Sequence, residues 1–508
     1  MSFQPLSPIL KINPADSVAI ALVDLPAGSL VNFEGSAPIQ VAENIPAGHK
    51  IALHDIHAGT AVIRYGFPIG SATQEIPKGA WVHTHNLGIE NIERTFDQAA
   101  NPYLSESKKI TESPPHSFMG YVRKDGKVGT RNYVAIISAV NCVNPIVRAI
   151  QRHFPASALA QYPNVDSVLT ITHDSGCSLE TGGLDHLNLR QILTNLAHHP
   201  NIAAALVIGL GCEVNLMADI ITDENTAYLG VQDEGGTAIT IEKAVPIIQH
   251  MLEEANRITR TPQPLSKLTV ALQCGGSDAF SGITGNPLMG QVSDRIVSEG
   301  GTVVMAETTE IFGAEQLLLQ RAANPAAAQK LVAILQWWQD YAHRTGGSVD
   351  NNPSPGNKAG GLTNIFEKSL GAVSKCGTYP LQAVYQYAEP VTAQGVCFMD
   401  SPGNDAASLT GQVAGGCNLV LFTTGRGTTY APGIAPCLKI ATASRLYHHM
   451  QGDMDINAGE VLEGVSLEQC GANLLETIIA AASGTSTKSE VLLSEQVDLV
   501  PWRRGGLF

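Results

Sequence analysis

The sequence predicts an α/β protein with a small all-β module at its N-terminus, a linker, and an α/β region built on a largely parallel sheet. Two observations carry this prediction. In residues 1–98, short apolar pieces alternate with Gly and Pro turns, which is typical of a compact all-β module. From Gly120 onwards, longer apolar runs alternate with amphipathic segments, which predicts parallel strands covered by helices on both faces.

The N-terminal module repeats one short phrase, in which an aliphatic residue is followed three positions later by Gly. The phrase occurs at Ile45–Gly48, Ile56–Gly59 and Ile76–Gly79. Each copy ends in a turn-forming residue, so each copy predicts a tight turn between two strands. Residues 99–118, which contain the polar phrase NPYLSESKKITESPPHS, are predicted to be a linker.

The α/β region contains six apolar runs that we predict to be buried strands. They span residues 133–140, 168–173, 204–211, 269–274, 302–307 and 418–425. Amphipathic segments such as LRQILTNLAHH lie between them and predict helices. The turn-rich phrase TRTPQPLSK predicts a division into a middle α/β domain, 119–265, and a C-terminal α/β domain, 266–508.

Length and charge exclude several classes of protein. A chain of 508 residues is expected to form more than one domain, and its net charge of −15 argues against nucleic-acid or acidic-membrane partners. The sequence has no apolar run of about 18 residues, and its first residues lack a signal-peptide pattern. Nine widely spaced cysteines do not form a disulfide framework, so we expect a cytoplasmic protein with reduced thiols.

Polar and thiol side chains follow the predicted strands where each strand ends. Because ligands of open parallel sheets bind beyond the carboxyl ends of the strands, we expect these side chains to form one site. The strand-end residues are Cys142, then His173 with Asp174 and Cys177, Cys212 with Glu213, Cys274 with Asp278, Glu307 with Glu310, and Arg426.

Thiolate and carboxylate ligands in one set suit iron or zinc better than calcium. The predicted metal ligands are Cys177, Cys212, Glu213, Cys274 and Asp278. Three cysteines from separate loops could alternatively hold an iron–sulfur cluster. Five other cysteines lack the strand-end setting and are predicted to pack as small apolar side chains: Cys376, Cys397, Cys417, Cys437 and Cys470. A structural zinc site is not expected, because the sequence has no paired C-x-x-C.

Two glycine-rich phrases resemble a dinucleotide fingerprint but do not complete it. GLGCEV and GRGTTY place Val214 and Tyr430 where G-x-G-x-x-G requires its last glycine. We therefore expect no dinucleotide cofactor. Both phrases are better explained as turns that cradle an anion, with Arg426 available to bind a carboxylate or phosphate.

Three further phrases contain candidate substrate-binding groups. In NPSPGNKAGG and DSPGNDAAS, a Pro-Gly turn is followed by polar residues. In WVHTHN, two imidazoles two positions apart would lie on one face of a strand, as a metal pair, a substrate contact or a solvated edge. The candidates are Asn357, Lys358, Asn404, Asp405, His83 and His85.

The longer motifs resemble those of the altronate/galactarate dehydratase family of sugar-acid hydro-lyases. The matching phrases are GYVRKDGKVGTRN, NCVN, HDSGCS, VIGLGCE, CGGSDAFSGITGNP, NPSPGNKAGG, SPGNDA, TTGRGT and DINAG, in family order. The phrases VHTHN and EIFGAEQLL are closer to the altronate-type branch. The resemblance implies an N-terminal β-clip (SAF-type) domain, a Rossmann-like C-terminal domain without dinucleotide, and dependence on a divalent metal, most often Fe²⁺, with Mn²⁺ as an alternative.

The implied reaction removes water from D-altronate to form 2-dehydro-3-deoxy-D-gluconate. It needs a base for the C2 proton, an acid for the departing 3-hydroxyl, and stabilisation of an enediolate. His173 is the favoured acid/base, since imidazole titrates near neutral pH, and Lys358 is the competing base. Arg426 would bind the substrate carboxylate. Asn357, Asn404 and Asp405 would bind its hydroxyl groups, with His83 and His85 as further candidates.

Two other functions remain open from the sequence. One is an elimination on a related acid such as galactarate. The other is a sugar-acid-binding or redox-sensing protein without turnover, because the N-terminal module could serve binding alone. A homodimer is the expected assembly, since two-fold dimers are the commonest oligomers.

Overall fold

The computed structural model describes residues 7–32, 37–89, 115–217, 224–493 and 496–504. They form an all-β module followed by two α/β regions, as predicted. Most of the predicted linker, residues 99–114, lies outside the described residues. In the described ranges, no helix is long and apolar enough to cross a membrane.

Nine short strands form the described part of the N-terminal module. They are β1 (Ile9–Leu10), β2 (Val18–Ala21), β3 (Leu30–Val31), β4 (Ile39–Gln40), β5 (Lys50–Ala52), β6 (Ala61–Arg64), β7 (Phe67–Ala72), β8 (Trp81–Val82) and β9 (Leu87–Gly88). They pair antiparallel in the orders β1-β2-β5-β8, β3-β4 and β6-β7-β9. The all-β prediction is therefore confirmed.

The repeated glycine phrase forms the turns of this module. Gly48, Gly59 and Gly79 have φ of +85°, +77° and +86°, a region that side chains disfavour and glycine adopts freely. At Gly79, a Cβ would also lie 2.0 Å from the carbonyl oxygen of Gln40. The three glycines are thus required by their backbone conformation, and Gly79 is also required by the close approach of neighbouring backbone.

The α/β regions contain the remaining elements. The strands and helices of the middle region are β10 (Ser117–Val122), β11 (Val128–Gly129), β12 (Tyr133–Ser138), α1 (Asn144–Gln151), α2 (Ala156–Leu159), β13 (Ser167–Thr172), α3 (Leu184–Ala197), β14 (Ile202–Gly209), β15 (Thr226–Gly230), α4 (Val231–Glu234), α5 (Thr237–Asn256) and β16 (Thr261–Pro264). Those of the C-terminal region are β17 (Thr269–Cys274), α6 (Gly285–Ser298), β18 (Thr302–Met305), α7 (Glu315–Leu319), α8 (Pro325–Thr345), α9 (Pro355–Ala359), α10 (Ile365–Ala372), β19 (Leu381–Tyr385), β20 (Gly395–Met399), α11 (Asp405–Ala414), β21 (Leu419–Thr424), β22 (Cys437–Ala441), α12 (Ser444–His449), β23 (Ile456–Asn457), α13 (Leu467–Ala482), α14 (Lys488–Leu493) and β24 (Gln496–Asp498).

The middle region is built on a five-stranded parallel sheet in the order β15-β14-β12-β13-β24. The chain runs from β12 to β13 on one side and then returns to β14 on the other, so the strand order reverses at β12. Its last strand comes from the chain's C-terminus, because β24 pairs with β13 through Thr170–Gln496 to Thr172–Asp498. Residues 496–498 therefore complete the middle sheet, although the sequence assigned all of 266–508 to the C-terminal domain.

The C-terminal region is built on a seven-stranded sheet in the order β19-β20-β18-β17-β21-β22-β23, and all of its pairings are parallel. The central strand β17 has β18 on one side and β21 on the other. Its residues Val270–Cys274 are buried, as expected for a strand covered on both faces. The predicted parallel α/β architecture is confirmed.

The six predicted apolar runs all form strands, but they belong to two different sheets. Three of them become β12, β13 and β14 of the middle sheet, and three become β17, β18 and β21 of the C-terminal sheet. The prediction that all six strand ends meet at one site is therefore wrong. The carboxyl edge of each sheet must be considered separately.

Candidate active site

A pocket of about 450 Å³ lies at the carboxyl ends of β17, β18 and β20. It is lined by polar and small side chains of the C-terminal region, and we call it the glutamate–lysine pocket. Its lining consists of Cys274, Gly275, Gly276, Glu307, Thr309, Glu310, Ser348, Val349, Asn351, Asn352, Ser354, Asn357, Lys368, Gly403, Asn404 and Asp405.

Glu307 follows β18 in a left-handed backbone conformation, with φ of +69°. Such a conformation is uncommon for a residue with a side chain and is found preferentially at functional sites. The Glu307 N–H donates to Ser401 Oγ at 2.9 Å, which holds the bend. The Glu307 carboxylate faces the fully buried Lys375, with Oε2 and Nζ 4.0 Å apart.

Glu310, one turn later, is held by an ion pair within the pocket. Lys368 Nζ donates to Glu310 Oε1 at 2.6 Å and to Asn352 Oδ1 at 2.9 Å. Asn352 Nδ2 donates to the same Glu310 oxygen at 2.9 Å. Two ammonium groups therefore face two glutamates, one pair hydrogen-bonded and the other without direct contact.

The pocket concentrates negative charge in a buried space. Burial, followed by the charge of Glu310, raises the pKa of Glu307 well above its usual value. Burial also raises the pKa of Asp405, whereas Lys368 and Lys375 outweigh burial and lower the pKa of Glu310. Within the described residues, Glu307 Oε2, Glu310 Oε2 and Lys375 Nζ are buried without a hydrogen-bond partner. Unpaired buried groups are costly, so they indicate a missing ligand.

The Asp405 carboxylate occupies the space that a side chain at position 275 would fill, and Gly275 leaves it free. The Asp405 carboxylate accepts from Gln273 Nε2 at 3.0 Å and lies over Gly275, where a Cβ would be 2.3 Å from Asp405 Oδ2. Asp405 is the first residue of α11, and the preceding Asn404 caps this helix by accepting from the N–H of Ala407. The glycine after β17 is therefore required by the acid that faces it.

Replacing Gly275 by alanine will displace the Asp405 carboxylate and lower kcat by about a hundredfold, the cost of a misplacement near 1 Å. Steady-state kinetics with the melting temperature measured in parallel will test this. Gly452→Ala is the matched control, because among the described residues no atom lies within 4 Å of its Cβ position. Unchanged kinetics in Gly275→Ala would show that the carboxylate position does not matter.

Four sequence-predicted residues line the pocket: Cys274, Asn357, Asn404 and Asp405. Cys274 is buried beside Ser277, with Sγ and Oγ 2.9 Å apart, and burial raises the pKa of its thiol. The amide of Asn357 is used within the wall, since Nδ2 donates to the Ser277 carbonyl and Oδ1 accepts from Ser354. Asn357 thus positions the wall, and the other two polar side chains of this set that line the pocket are Asn404 and Asp405.

Three predicted site residues lie beside the pocket but do not line it. Asp278 Oδ1 accepts from the N–H groups of Phe280 and Ser281 and from the hydroxyl of Thr442, so the carboxylate caps a turn. Asp278 and the exposed Arg426 line a neighbouring cavity of about 560 Å³. Lys358 lies on α9 and lines neither space.

The remaining predicted ligands belong to the middle sheet, so the five-residue metal site does not form. Cys177 and Cys212 follow β13 and β14. Glu213 is buried and accepts from the N–H groups of Leu210 and Gly211 at 3.1 and 2.6 Å, which closes its own loop. A role for Glu213 as a metal ligand is therefore not supported.

His173 is a structural residue of the middle sheet rather than an acid/base of the pocket. Its Nε2 lies 2.9 Å from the carbonyl of Ser138, and its Nδ1 accepts from the N–H of Ser175 at 3.1 Å. Burial lowers the pKa of His173 to about 4. Both nitrogens are engaged by backbone groups and His173 does not line the glutamate–lysine pocket, so the structure does not support the predicted catalytic role.

His83 and His85 lie in a turn, because β8 ends at Val82, and the predicted one-face strand pair is wrong. His83 stacks on Trp81 with ring centroids 5.3 Å apart, and burial lowers the pKa of His83 to about 4. His85 is exposed beside the same Trp81 ring. Neither histidine lines the glutamate–lysine pocket.

The N-terminal module contacts the wall of the pocket through buried charges. Glu367 on α10 pairs with Lys50 Nζ at 2.9 Å and with Arg64, and all three side chains are buried. Lys50 Nζ also donates to the Gly361 carbonyl at 2.7 Å. Because Lys368 follows Glu367 on the same helix, the module anchors the segment that carries a pocket lysine.

Sequence reasoning missed Lys368, Lys375 and Asn352, and it noted Glu307 and Glu310 without assigning them a role. A signal was present in the phrase IFEKSLGA, where a Glu-Lys pair interrupts an apolar helix. All eight residues of this helix are buried. Charged residues in a buried helix must be paired or functional, so the phrase could have indicated both the anchor and the pocket lysine.

A larger cleft of about 740 Å³ is lined by residues of both α/β regions, including Arg131, Tyr133 and Glu490. Its charged groups already satisfy one another, since Arg131 Nε pairs with Glu490 Oε1 at 2.6 Å. It lies near the amino-terminal end of β12, which begins at Tyr133, and so at the edge of the sheet opposite to the carboxyl ends. Because catalytic groups of parallel sheets gather at the carboxyl ends, the smaller pocket is the better candidate.

The fold is an α/β fold, and its candidate site is a pocket of carboxylates and a lysine at the carboxyl edge of a parallel sheet. Family models of the D-galactarate/altronate dehydratase SAF, second and C-terminal domains match residues 7–90, 120–256 and 265–506. The chain therefore belongs to the altronate/galactarate dehydratase family of hydro-lyases, and the SAF-type identity of its N-terminal module is confirmed.

Relatives align with this chain over nearly their full length. An altronate dehydratase of Bacillus subtilis is 37% identical over 95% of this chain and 96% of its own. An altronate dehydratase of Escherichia coli is 37% identical over 95% of this chain and 96% of its own. The L-threo-forming galactarate dehydratase of Escherichia coli is 34% identical over 94% of each chain.

Proposed function

We propose that the chain dehydrates D-altronate to 2-dehydro-3-deoxy-D-gluconate in the glutamate–lysine pocket. The observation that carries the proposal is the pair of buried carboxylates with unpaired oxygens facing two lysines at the edge of the C-terminal sheet. Two altronate dehydratases are 37% identical to the chain, against 34% for the galactarate dehydratase, which makes galactarate the second candidate substrate.

The pocket residues fit the divalent metal that the family implies. Glu310 has one carboxylate oxygen without a partner, and Asp405 lies in a space cleared by Gly275. Carboxylate oxygens and water suit hard divalent ions such as Mn²⁺ and Mg²⁺. In the described part of the chain, no three His, Cys, Asp or Glu side chains form a complete ion site. Glu310 and Asp405 would therefore hold the metal together with water or substrate oxygens, as in open catalytic sites.

A bound Fe²⁺ or Mn²⁺ would supply Lewis-acid stabilisation of the enediolate. The chain's own residues provide the remaining functions. Lys368 uses two of its three N–H groups on Glu310 and Asn352, which leaves the third to donate to the substrate carboxylate. Asn404 caps α11 through its oxygen, which leaves its amide NH₂ to bind a hydroxyl.

Proton transfer is assigned to Glu307 and Lys375. Glu307 lines the pocket, and its Oε2 faces Lys375 Nζ at 4.0 Å while neither atom has a hydrogen-bond partner among the described residues. Substrate bound in the pocket therefore meets the carboxyl group of Glu307, which can exchange a proton with the buried side chain of Lys375. This pair replaces His173 and Lys358 as the proposed acid/base groups.

An anaerobic assay with a panel of aldonates and aldarates, with Fe²⁺ added or chelated, will test the proposal. We expect altronate to yield a 2-keto-3-deoxy acid in a metal-dependent reaction. Turnover of galactarate alone would change the assigned substrate from altronate to galactarate and leave the proposed mechanism unchanged. If metal-loaded protein turned over none of the acids, a binding or sensing role would replace the catalytic one.

We further propose that the protein acts as a homodimer in the cytoplasm, on a free small-molecule substrate. Six of its cysteines are buried and three are exposed, all as free thiols, which suits a reducing compartment. Light scattering of the purified chain will report the assembly. A monomer in solution would contradict the dimer.

A further inference from the structure

Three cysteines of the middle region are exposed, whereas the other six cysteines of the chain are buried. The exposed residues are Cys142, Cys177 and Cys212. A buried cysteine is explained by packing, since its side chain behaves as a small apolar group. Exposure removes that explanation for these three thiols, and the glutamate–lysine pocket does not use them.

The three cysteines leave the middle sheet from one row of paired residues. Ile137 of β12 pairs with Ile171 of β13 and with Val207 of β14. Along the chain, Cys142 lies five positions after Ile137 and Cys212 lies five positions after Val207. Cys177 lies six positions after Ile171. Because neighbouring strands lie about 4.8 Å apart, three thiols at matched positions emerge at one part of the sheet edge.

This part of the edge is also where the strand order reverses. The central strand β12 has β13 on one side and β14 on the other, and the chain visits them in that order. In open α/β sheets, ligands bind beyond the carboxyl ends of the strands at such a reversal. The three thiols therefore lie at the edge where open α/β sheets generally bind their ligands.

Hydrogen bonds fasten the three loops to one another. The N–H of Asn141 donates to the Ser175 carbonyl at 2.8 Å, and Asn215 Nδ2 donates to the Ala139 carbonyl at 3.0 Å. Gly176, next to Cys177, has φ of +104°, and a Cβ there would lie 2.6 Å from the Ala139 oxygen. Loops held this closely keep their thiols in place before any ligand binds.

The thiols are the available ligands at this edge. The side chains of His173 and Glu213 are already engaged by neighbouring backbone, as described above. No three His, Cys, Asp or Glu side chains are placed around one ion in the residues that the structure describes. Three soft ligands from three neighbouring loops suit an iron–sulfur cluster, which is larger than a single ion and is bound by thiolates.

We propose that Cys142, Cys177 and Cys212 hold an iron–sulfur cluster at the carboxyl edge of the middle sheet, separate from the glutamate–lysine pocket. Each thiol releases its proton to solvent as its sulfur binds an iron. Three protein ligands leave one iron of a cubane cluster without a cysteine. Gln232 Nε2 donates to Cys212 Sγ at 3.6 Å, the kind of hydrogen bond that tunes cluster potential.

Anaerobic reconstitution of the full chain with ferrous iron, ferric iron and sulfide, which together supply the mixed-valence iron of the cluster, will test the proposal. We expect wild type to retain iron and acid-labile sulfide, with visible charge-transfer absorption. Cys177→Ser should lower retained sulfide by about tenfold or more, since even loss of a ligand's supporting contact costs that much. Cys470→Ser, which changes a buried cysteine on α13, and Glu310→Gln should each retain the wild-type amount.

Thiol alkylation read by mass spectrometry gives an independent measurement. Iodoacetamide should modify the three exposed cysteines in apoprotein and spare them after reconstitution. Melting curves will show whether each exposed Cys→Ser variant is folded, as expected for a surface change. Equal sulfide in wild type and Cys177→Ser, metal bound without sulfide, or alkylation unchanged by reconstitution would each overturn the proposal.

Discussion

Glu367→Gln will lower the free energy of unfolding by about 3–5 kcal/mol, the cost of leaving buried charges without their partner. Glu367 is fully buried and pairs with Lys50 and Arg64 of the N-terminal module. Its second oxygen accepts from the N–H of Thr363 at 2.8 Å. Removing one negative charge leaves two buried cations unbalanced. Denaturant unfolding at neutral pH will measure the loss.

The Glu367 carboxylate also makes the stability of the protein at acidic pH depend on its contact with Lys50 and Arg64. Burial would raise the pKa of Glu367, but Lys50 and Arg64 hold it at about 2. A lowered folded-state pKa contributes stability above the unfolded value of about 4.3, and this contribution is lost as pH falls towards 2. Wild type should therefore lose stability over that window, and Glu367→Gln should show a weaker dependence on pH there.

Glu75→Gln is the matched control. Glu75 also pairs with a basic residue of the N-terminal module, His57, but both side chains are more than half exposed. Exposed pairs contribute little to stability. We expect its unfolding midpoint to equal that of wild type, and equal midpoints for Glu367→Gln and wild type would contradict the anchor.

The anchor also links the module to catalysis. Glu367 and Lys368 are neighbours on α10, and one faces the module while the other faces the pocket. A shift of α10 would move the Lys368 ammonium away from Glu310. Glu367→Gln that remains folded should therefore show a lower kcat, although Glu367 does not line the glutamate–lysine pocket.

Fold class was predictable because local patterns carry it. The six apolar runs correspond to strands that are buried on both faces, and the repeated glycines of the first 98 residues mark real turns. The partition of strands between two sheets was not predictable, since a buried parallel strand has the same apolar sequence pattern in either sheet. Strand β24 joins the middle sheet from the far end of the chain, a long-range pairing without a local signal.

The candidate site was only partly predictable for the same reason. Cys274, Asn404 and Asp405 were found because they end strands or follow marked turns. Lys368 lies within a helix, so its place in the pocket depends on how α10 packs. His173 and Asp278 looked reactive in the sequence, yet the structure uses their polar atoms to hold loops. Residue type alone does not distinguish a capping carboxylate from a catalytic one.

Lys368→Met will lower kcat by about a hundredfold to a thousandfold, the usual cost of removing a charge aimed at the transition state. Lys368 is the ammonium that lines the pocket and pairs with Glu310 at 2.6 Å. Its loss also leaves the buried Glu310 carboxylate without the ammonium that balances its charge. We therefore expect a lower melting temperature in addition to the lower kcat.

The double variant Glu310→Gln/Lys368→Met separates the two effects. Removing both charges relieves the unpaired carboxylate, so the melting temperature should return towards wild type. Activity should stay low, because neither the ammonium nor the metal-binding carboxylate is restored. Glu224→Gln, which breaks an exposed pair with Lys124, is the control and should change neither property. If activity recovered together with stability, the Glu310–Lys368 pair would be structural, and the chemistry of the pocket would rest on Glu307, Lys375 and Asp405.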